Sequence, residues 1–286
     1  MRKAQHMYLH AAVAVAALAV LIAGPAAADS RQVTFPGAEG VMLFGWIYTP
    51  STPGPHPAIV ALHGCAGLFG TDGLPSPRHA DWGERWANAG YVVLFPDSYG
   101  SRGLGPQCKI AERTIHPGRE RVDDANAALH FLIGRADIDA KQISLVGWSN
   151  GGSTALYAVQ PRNSPAKPNG GVDFARAIAF YPGCRTPLET ARWRTRLPLL
   201  VLIGAADDWT PAAPCVDLIA AAKAKNEPAE IFTYPDAYHD FDHPNMPVHT
   251  VEGLAFTADG DGQAHTGTNP EARANAIERV MEFLRR

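Results

Sequence analysis

A chain of 286 residues with 28 acidic and 25 basic side chains has a formal charge of −3, which gives no electrostatic footprint for nucleic acid. It contains no charge run, low-complexity tract or internal repeat that would suggest a scaffold or a binding array.

The first segment reads as a targeting signal. Arg2 and Lys3 precede an apolar stretch from Ala11 to Ala23, followed by Gly24, Pro25 and the small residues Ala26, Ala27 and Ala28. That order is expected of a secretory signal peptide, residues 1–28, cut before Asp29. The stretch is shorter than the roughly 20 residues of a spanning helix, so no stable membrane anchor is expected after cleavage. No cysteine follows it before Cys65, against a lipoprotein, and Arg2 stands without a twin arginine. Residues 29–286 are expected to be one periplasmic or secreted domain, mildly acidic, of open oligomeric state.

In "QVTFPG" and "GVMLFGWIYTP" an antiparallel hairpin is expected on a sheet edge. From residue 57 onward, short apolar runs alternate with helical patterns, the signature of a parallel sheet covered by helices. The runs cover residues 57–64, 91–97, 142–148, 175–183, 198–207 and 230–239; helices are expected near 79–89, 118–134, 150–159, 212–225 and 271–285. Leu199 to Ile203 is apolar at every position, as a strand covered on both faces requires. The expected class is α/β, a mostly parallel central sheet with helices on both faces. Ligands of such sheets bind at the carboxyl ends of the strands.

At one of those ends stands Gly147-Trp148-Ser149-Asn150-Gly151, a G-x-S-x-G between a strand and a helix. A nucleophilic serine at such a sharp turn sits on a strained backbone, so the residues two positions either side must lack bulk. A plain glycine-rich loop would use the same residues. A serine hydroxyl needs a base, and the base an orienting acceptor, expected later in the chain in the order Ser, Asp, His. "AADDWTP" offers Asp207 and Asp208 and "YPDAYHDFDHP" offers His239, with His243 and His249 as competitors. Asp207, first off its strand, and His239, nearest its strand end, are preferred. An oxyanion would find its donors in the Asn150 amide and in the glycine-bearing loop "LHGCAGL", at the Cys65 amide.

Cys65, Cys108, Cys184 and Cys215 form an even set with three possible pairings, none at C-x-x-C spacing. Cys184 and Cys215 each follow an expected core strand and are expected to pair; Cys65 would then face Cys108. "HDFDHP" with His249 is read as a turn beside the base rather than a metal cluster. "DGDG" (259–262) is rejected as a calcium loop because its twelfth position is Pro270. No strand leads into a dinucleotide or P-loop fingerprint, so no cofactor and no metal are expected. The segments 98–119 and 242–270 are expected to shape the pocket. Trp148, Trp209 and Tyr99 could line it or could be ordinary packing.

Taken together, "LHGCAGL", "FPDSYGSRG", "VGWSNGG", "IGAADDWTP" and "YPDAYHDFDHP" resemble the dienelactone hydrolase family of α/β-hydrolases over most of residues 31–286. The resemblance implies the α/β-hydrolase fold and an esterase or lactonase without cofactor, its nucleophile carried to Ser149, its acid to Asp207 and its base to His239. The enzymes that name the family use a cysteine nucleophile where this chain has Ser149, a departure that bears on the substrate rather than on ester hydrolysis. A small-molecule ester or lactone is therefore the expected partner. Activity should fall on acidification with a midpoint near the ordinary histidine value of about 6.5. The rivals are a serine peptidase on the same fold and a non-catalytic binding protein that keeps the fold.

Overall fold

The structure is a computed structural model that describes residues 28–165, 171–190 and 192–286. The expected signal peptide lies, but for Ala28, outside the described residues.

Among the described residues, eight strands form the central sheet: β1 (Asp29–Pro36), β2 (Met42–Thr49), β3 (His56–Leu62), β4 (Val92–Asp97), β5 (Ile138–Trp148), β6 (Arg176–Phe180), β7 (Leu199–Gly204) and β8 (Ala229–Tyr234). Their spatial order is β1-β2-β4-β3-β5-β6-β7-β8. β1 and β2 form the expected antiparallel edge hairpin, β2 runs antiparallel to β4, and the remaining pairs are parallel. This is the α/β-hydrolase fold class expected from the sequence. All residues of β4 and β7 are buried, as the apolar runs that make up nearly all of both strands require.

Five of the helices lie where their patterns put them: α1 (Pro77–Asn88), α2 (Glu120–Ile133), α3 (Asn150–Ala158), α5 (Ala212–Lys223) and α6 (Pro270–Arg285), with the single-turn α4 (Arg185–Glu189) between β6 and β7. The start of α6 has a local cause. The Asn269 side chain accepts from the Ala272 amide at 3.0 Å, and Pro270 occupies the first turn, where its missing N–H is no loss. Successive residues at the end of β5 show that both faces are covered. Gly147 lies against the start of α3, while Trp148 points the other way, its ring 6.4 Å from that of Trp82 and 6.0 Å from that of Trp86 on α1.

Three features differ from the sequence expectation. β5 begins at Ile138, four residues before the expected start, because His56 pairs with Ile138 across a register shift. β6 stops at Phe180, since Tyr181 takes a φ of 35° that no strand continues through. A second, two-stranded sheet, β9 (His249–Glu252) with β10 (Gln263–Thr266), occupies a segment expected only as pocket-forming loop. The "DGDG" run lies in the connection between these strands, with Gly260 and Gly262 both at positive φ.

Cys184 is bonded to Cys215 and Cys65 to Cys108. The first bridge joins the start of α4 to α5. Closing a loop of 31 residues confines the unfolded chain, which on chain-entropy grounds contributes about 4 kcal/mol. The double variant Cys184→Ala/Cys215→Ala should lose about that much in guanidinium unfolding measured without reductant; an unchanged midpoint would show the bridge to be energetically idle.

Candidate active site

β5 delivers Trp148 to the carboxyl end of the sheet, and the backbone reverses at Ser149 with φ 52° and ψ −114°. α3 starts at the next residue. A Cβ on Gly147 would collide with the carbonyl oxygen of Gly151, and one on Gly151 with that of Leu62. Backbone thus meets backbone at both glycines of the motif, which is why only glycine fits there. The Ser149 amide donates to Phe180 O at 2.9 Å and the Ser153 amide to Ser149 O at 2.8 Å, so the strained turn is held from both sides. Ser149 lines a cavity of about 590 Å³ together with Cys65, Asn150, Trp209 and Phe256.

His239 lies in the loop after β8, 1% exposed, packed between the rings of Tyr181 (4.5 Å) and Trp209 (4.7 Å). Its Nδ1 is 2.8 Å from Asp207 Oδ2, so that nitrogen carries the proton and donates to the carboxylate. Asp207 is held in turn. Its Oδ1 accepts from the Trp209 and Thr210 amides at 3.0 and 2.8 Å, and its Oδ2 from the Thr210 hydroxyl at 3.1 Å. The other ring nitrogen, Nε2, is buried and has no hydrogen-bond partner among the described residues, Ser149 included. Burial by itself would lower the His239 pKa, but the Asp207 carboxylate, with Asp240 behind it, outweighs burial and raises it above 6.5.

The competing residues go elsewhere. Asp208 accepts from the amide of His265 on β10 at 2.8 Å and lies 2.7 Å from that side chain's Nδ1, so it ties the second sheet to the loop after β7. His243 accepts from the Asn245 amide, and His249 lies exposed beside Pro247 O. Of the aromatic residues, Trp209 lines the cavity, whereas Trp148 is wholly buried in the core and Tyr99 is 1% exposed.

Both expected donor residues, Cys65 and Asn150, line the cavity beside Ser149. Asn150 opens α3, where a backbone N–H has no partner within the helix. The expected pocket segments also meet here. Ala111, Arg113 and His116 come from one, and Ala255, Phe256 and Thr257 from the other. The Arg113 guanidinium lies 4.8 Å over the Phe256 ring, the Ala255 amide donates to Cys108 O at 3.1 Å, and the Gln107 amide donates to Cys65 O at 2.7 Å.

Sequence reasoning missed the charged cluster behind His239. Arg78 on α1 donates to Asp240 and, at 3.0 Å, to the Tyr181 hydroxyl. Tyr181 in turn donates to Asp242 Oδ1 at 2.5 Å, while Trp82 and Trp148 donate to Asp242 Oδ2 at 2.8 and 2.7 Å. Burial and then Arg78 act in opposite directions on Asp240, and its pKa falls to about 2. The aspartates of "HDFDHP" are thus spent on anchoring the loop that carries His239. Nothing in their spacing signals Arg78, which lies more than 160 residues away in the chain.

The profile of the dienelactone hydrolase family matches residues 43–286. The chain belongs to that family. It is thereby a hydrolase of the α/β-hydrolase superfamily. A Methylorubrum extorquens protein named "Putative carboxymethylenebutenolidase" is 26% identical over 232 residues, 77% of this chain and 75% of that protein. A Bacillus subtilis protein named "Uncharacterized peptidase YuxL" is 23% identical over 254 residues, 79% of this chain but 38% of that protein. Among solved structures, a Klebsiella pneumoniae protein named "Putative Dienelactone Hydrolase" superposes with a TM-score of 0.68 at 19% identity, covering 91% of this chain and all of that one. At that identity the likeness is one of fold.

Because the Gly151 contact is with backbone, no side chain can swing away to relieve it. Gly151→Ala should destabilise the protein by about 2 kcal/mol or more, read as a fall in the urea midpoint, whereas Gly105→Ala, in open space, should leave it unchanged. Equal midpoints for the two variants would contradict the close approach.

Proposed function

We propose that this protein is an exported serine hydrolase of carboxylic esters or lactones, acting as a single domain of residues 29–286. The observation that carries the proposal is the buried Asp207–His239 pair, with His239 Nε2 unpartnered among the described residues. Ser149, at its strained turn, lines the adjoining cavity together with Trp209 and Thr210, which touch His239. Catalytic hydrogen bonds are often long without substrate and tighten in the complex, so the open Ser149–His239 geometry is compatible with this role.

In the proposed reaction the Ser149 hydroxyl attacks the ester carbonyl while His239 Nε2 takes its proton. The carbonyl π electrons move to oxygen, and the oxyanion accepts from the Cys65 and Asn150 amides. The tetrahedral centre then expels the alcohol oxygen, which receives the proton from His239, leaving an acyl-enzyme. Water, deprotonated by the same nitrogen, attacks the acyl carbon and releases the acid and Ser149. The Asp207 side chain holds the imidazole and stabilises the imidazolium. No cofactor enters. Export draws on the N-terminal sequence pattern and on the two disulfides, which persist in oxidising compartments.

Purified protein should hydrolyse nitrophenyl esters, and a chain-length series sizes the acyl pocket. Ser149→Ala should lower kcat at least about 10⁴-fold and Asp207→Asn by about 10³ to 10⁴, while Asp208→Asn stays within about threefold of wild type. Loss at Asp208 equal to that at Asp207 would overturn the assignment of the acid. Turnover of peptide nitroanilides in place of esters would favour a peptidase, the activity named for the Bacillus subtilis relative.

The pH dependence follows from His239. Its neutral form is the base, and its pKa is raised, so the imidazolium persists to higher pH than in an ordinary histidine. The acid limb of kcat/KM, which reports the free enzyme, should therefore have its midpoint above 6.5. A flat profile from about pH 5 to about pH 8 would count against His239 as base.

A further inference from the structure

Arg121, the second residue of α2, is wholly buried, and no carboxylate accepts a hydrogen bond from it among the described residues. Its three nitrogens go to uncharged oxygens. Nη1 donates to Asn150 Oδ1 at 2.6 Å, Nη2 to His63 O at 2.7 Å, and Nε reaches Ser98 Oγ at 3.4 Å. The nearby Asp97 carboxylate is occupied by the Tyr99 and Gly100 amides at 3.2 and 2.9 Å. The Tyr99 ring covers the guanidinium at 5.1 Å, and its hydroxyl donates to the same Asn150 Oδ1 at 3.1 Å.

A buried cation without an ion pair carries a large desolvation cost, which hydrogen bonds to neutral groups offset only in part. What distinguishes this one is where its two short bonds end. One holds the side chain of Asn150, the residue whose backbone N–H would receive the oxyanion. The other holds the carbonyl of His63, two residues before Cys65, the second donor. A single planar guanidinium therefore spans both halves of the oxyanion hole, which come from the separate β3–α1 and β5–α3 connections, and fixes their separation.

We propose that Arg121 is a positioning residue that holds the Asn150 and Cys65 amides at the spacing an oxyanion requires, and that its charge lowers the energy of the tetrahedral intermediate from behind. This rests on the ester hydrolase proposed above. A donor misplaced by about 1 Å costs on the order of 10²-fold in rate. The ground-state ester, with little charge on its carbonyl oxygen, should feel the loss far less.

The test is steady-state ester hydrolysis by Arg121→Met, Arg121→Lys and Asn150→Ala, each with its active sites titrated so that only folded enzyme is counted. Binding of a phenylboronic acid, whose Ser149 adduct mimics the tetrahedral intermediate, is measured beside it. Arg121→Met should lower kcat by about 10- to 100-fold with KM within about threefold, and weaken boronate binding in parallel. Arg121→Lys, which retains the charge but cannot reach both acceptors, should fall between. Asn150→Ala keeps its amide and tests the site even where Arg121→Met does not fold; it should lose kcat about tenfold, and adding it to Arg121→Lys should cost less than the product of the two losses. A merely structural Arg121 would lower the melting temperature and leave kcat and boronate affinity of the titrated enzyme intact, which overturns the proposal. Absence of ester turnover by the wild-type protein would instead remove the hydrolase reading on which it rests.

Discussion

The close approach of Gly151 to the Leu62 carbonyl is the contact on which the site depends. β3 and β5 run side by side with Leu62 opposite Gly147, and α3 must leave the end of β5 directly over the end of β3. With no side chain at 147 or 151, the helix comes down onto the sheet and Ser149 is forced to positive φ. That same descent brings the first amide of α3 beside the loop that follows β3. A Cβ on Gly64 would stand 3.5 Å from the Cβ of Ser149, in ordinary contact. One van der Waals constraint thus sets the exposure of the hydroxyl and the adjacency of the two candidate donors together.

Holding the candidate base is a different problem, because His239 sits on a loop rather than an element end with its own hydrogen bonds. The solution is electrostatic. Asp242 is a fully buried carboxylate, and its three donors, Trp82, Trp148 and Tyr181, come from α1, β5 and the end of β6. Arg78 adds a fourth link, from α1 to Asp240. A buried carboxylate with one donor would be expensive, but with three the lost hydration is largely replaced. Trp148 precedes Ser149 and Asp240 follows His239, so the chain neighbours of both candidate residues are fastened to one cluster. Their relative placement is inherited from that cluster rather than from the loops themselves.

The fold was legible because its strongest signals are local. β4 and β7 are apolar at nearly every position, and the glycines around Ser149 mark a turn that few other structures need. Order and strand-end position singled out Asp207 and His239, and the structure brings these two side chains together. The four-residue strands β9 and β10 were not legible, since six of their eight residues are half-buried or exposed and too few to show a period. Arg78 and Arg121 escaped for another reason. A charged residue in a helix reads as solvated face, and only the tertiary arrangement turns it inward against partners far away in the chain. Asp207 and Asp208 show the limit at its sharpest: identical side chains at adjacent positions, one bonded to His239 and the other to His265.

Three buried histidines around the site make the electrostatic logic explicit. Burial drives all three toward the neutral form. At His63, burial and then the Arg121 charge push the pKa well below 6.5, and the ring is bonded as a neutral imidazole, with Nδ1 donating to Gly64 O at 2.7 Å and Nε2 accepting from the Ser98 amide at 3.1 Å. At His79, burial and Arg78 lower it to about 3, and its ring packs 5.5 Å from that of Trp148. Of the three, His239 alone has a carboxylate on its protonated nitrogen and no partner among the described residues on the other, and it alone is raised. The first two rings are fixed in one protonation state across the ordinary pH range and serve as neutral packing. The third is left able to gain and release a proton beside the cavity, which is the property a base requires and the other two have been denied.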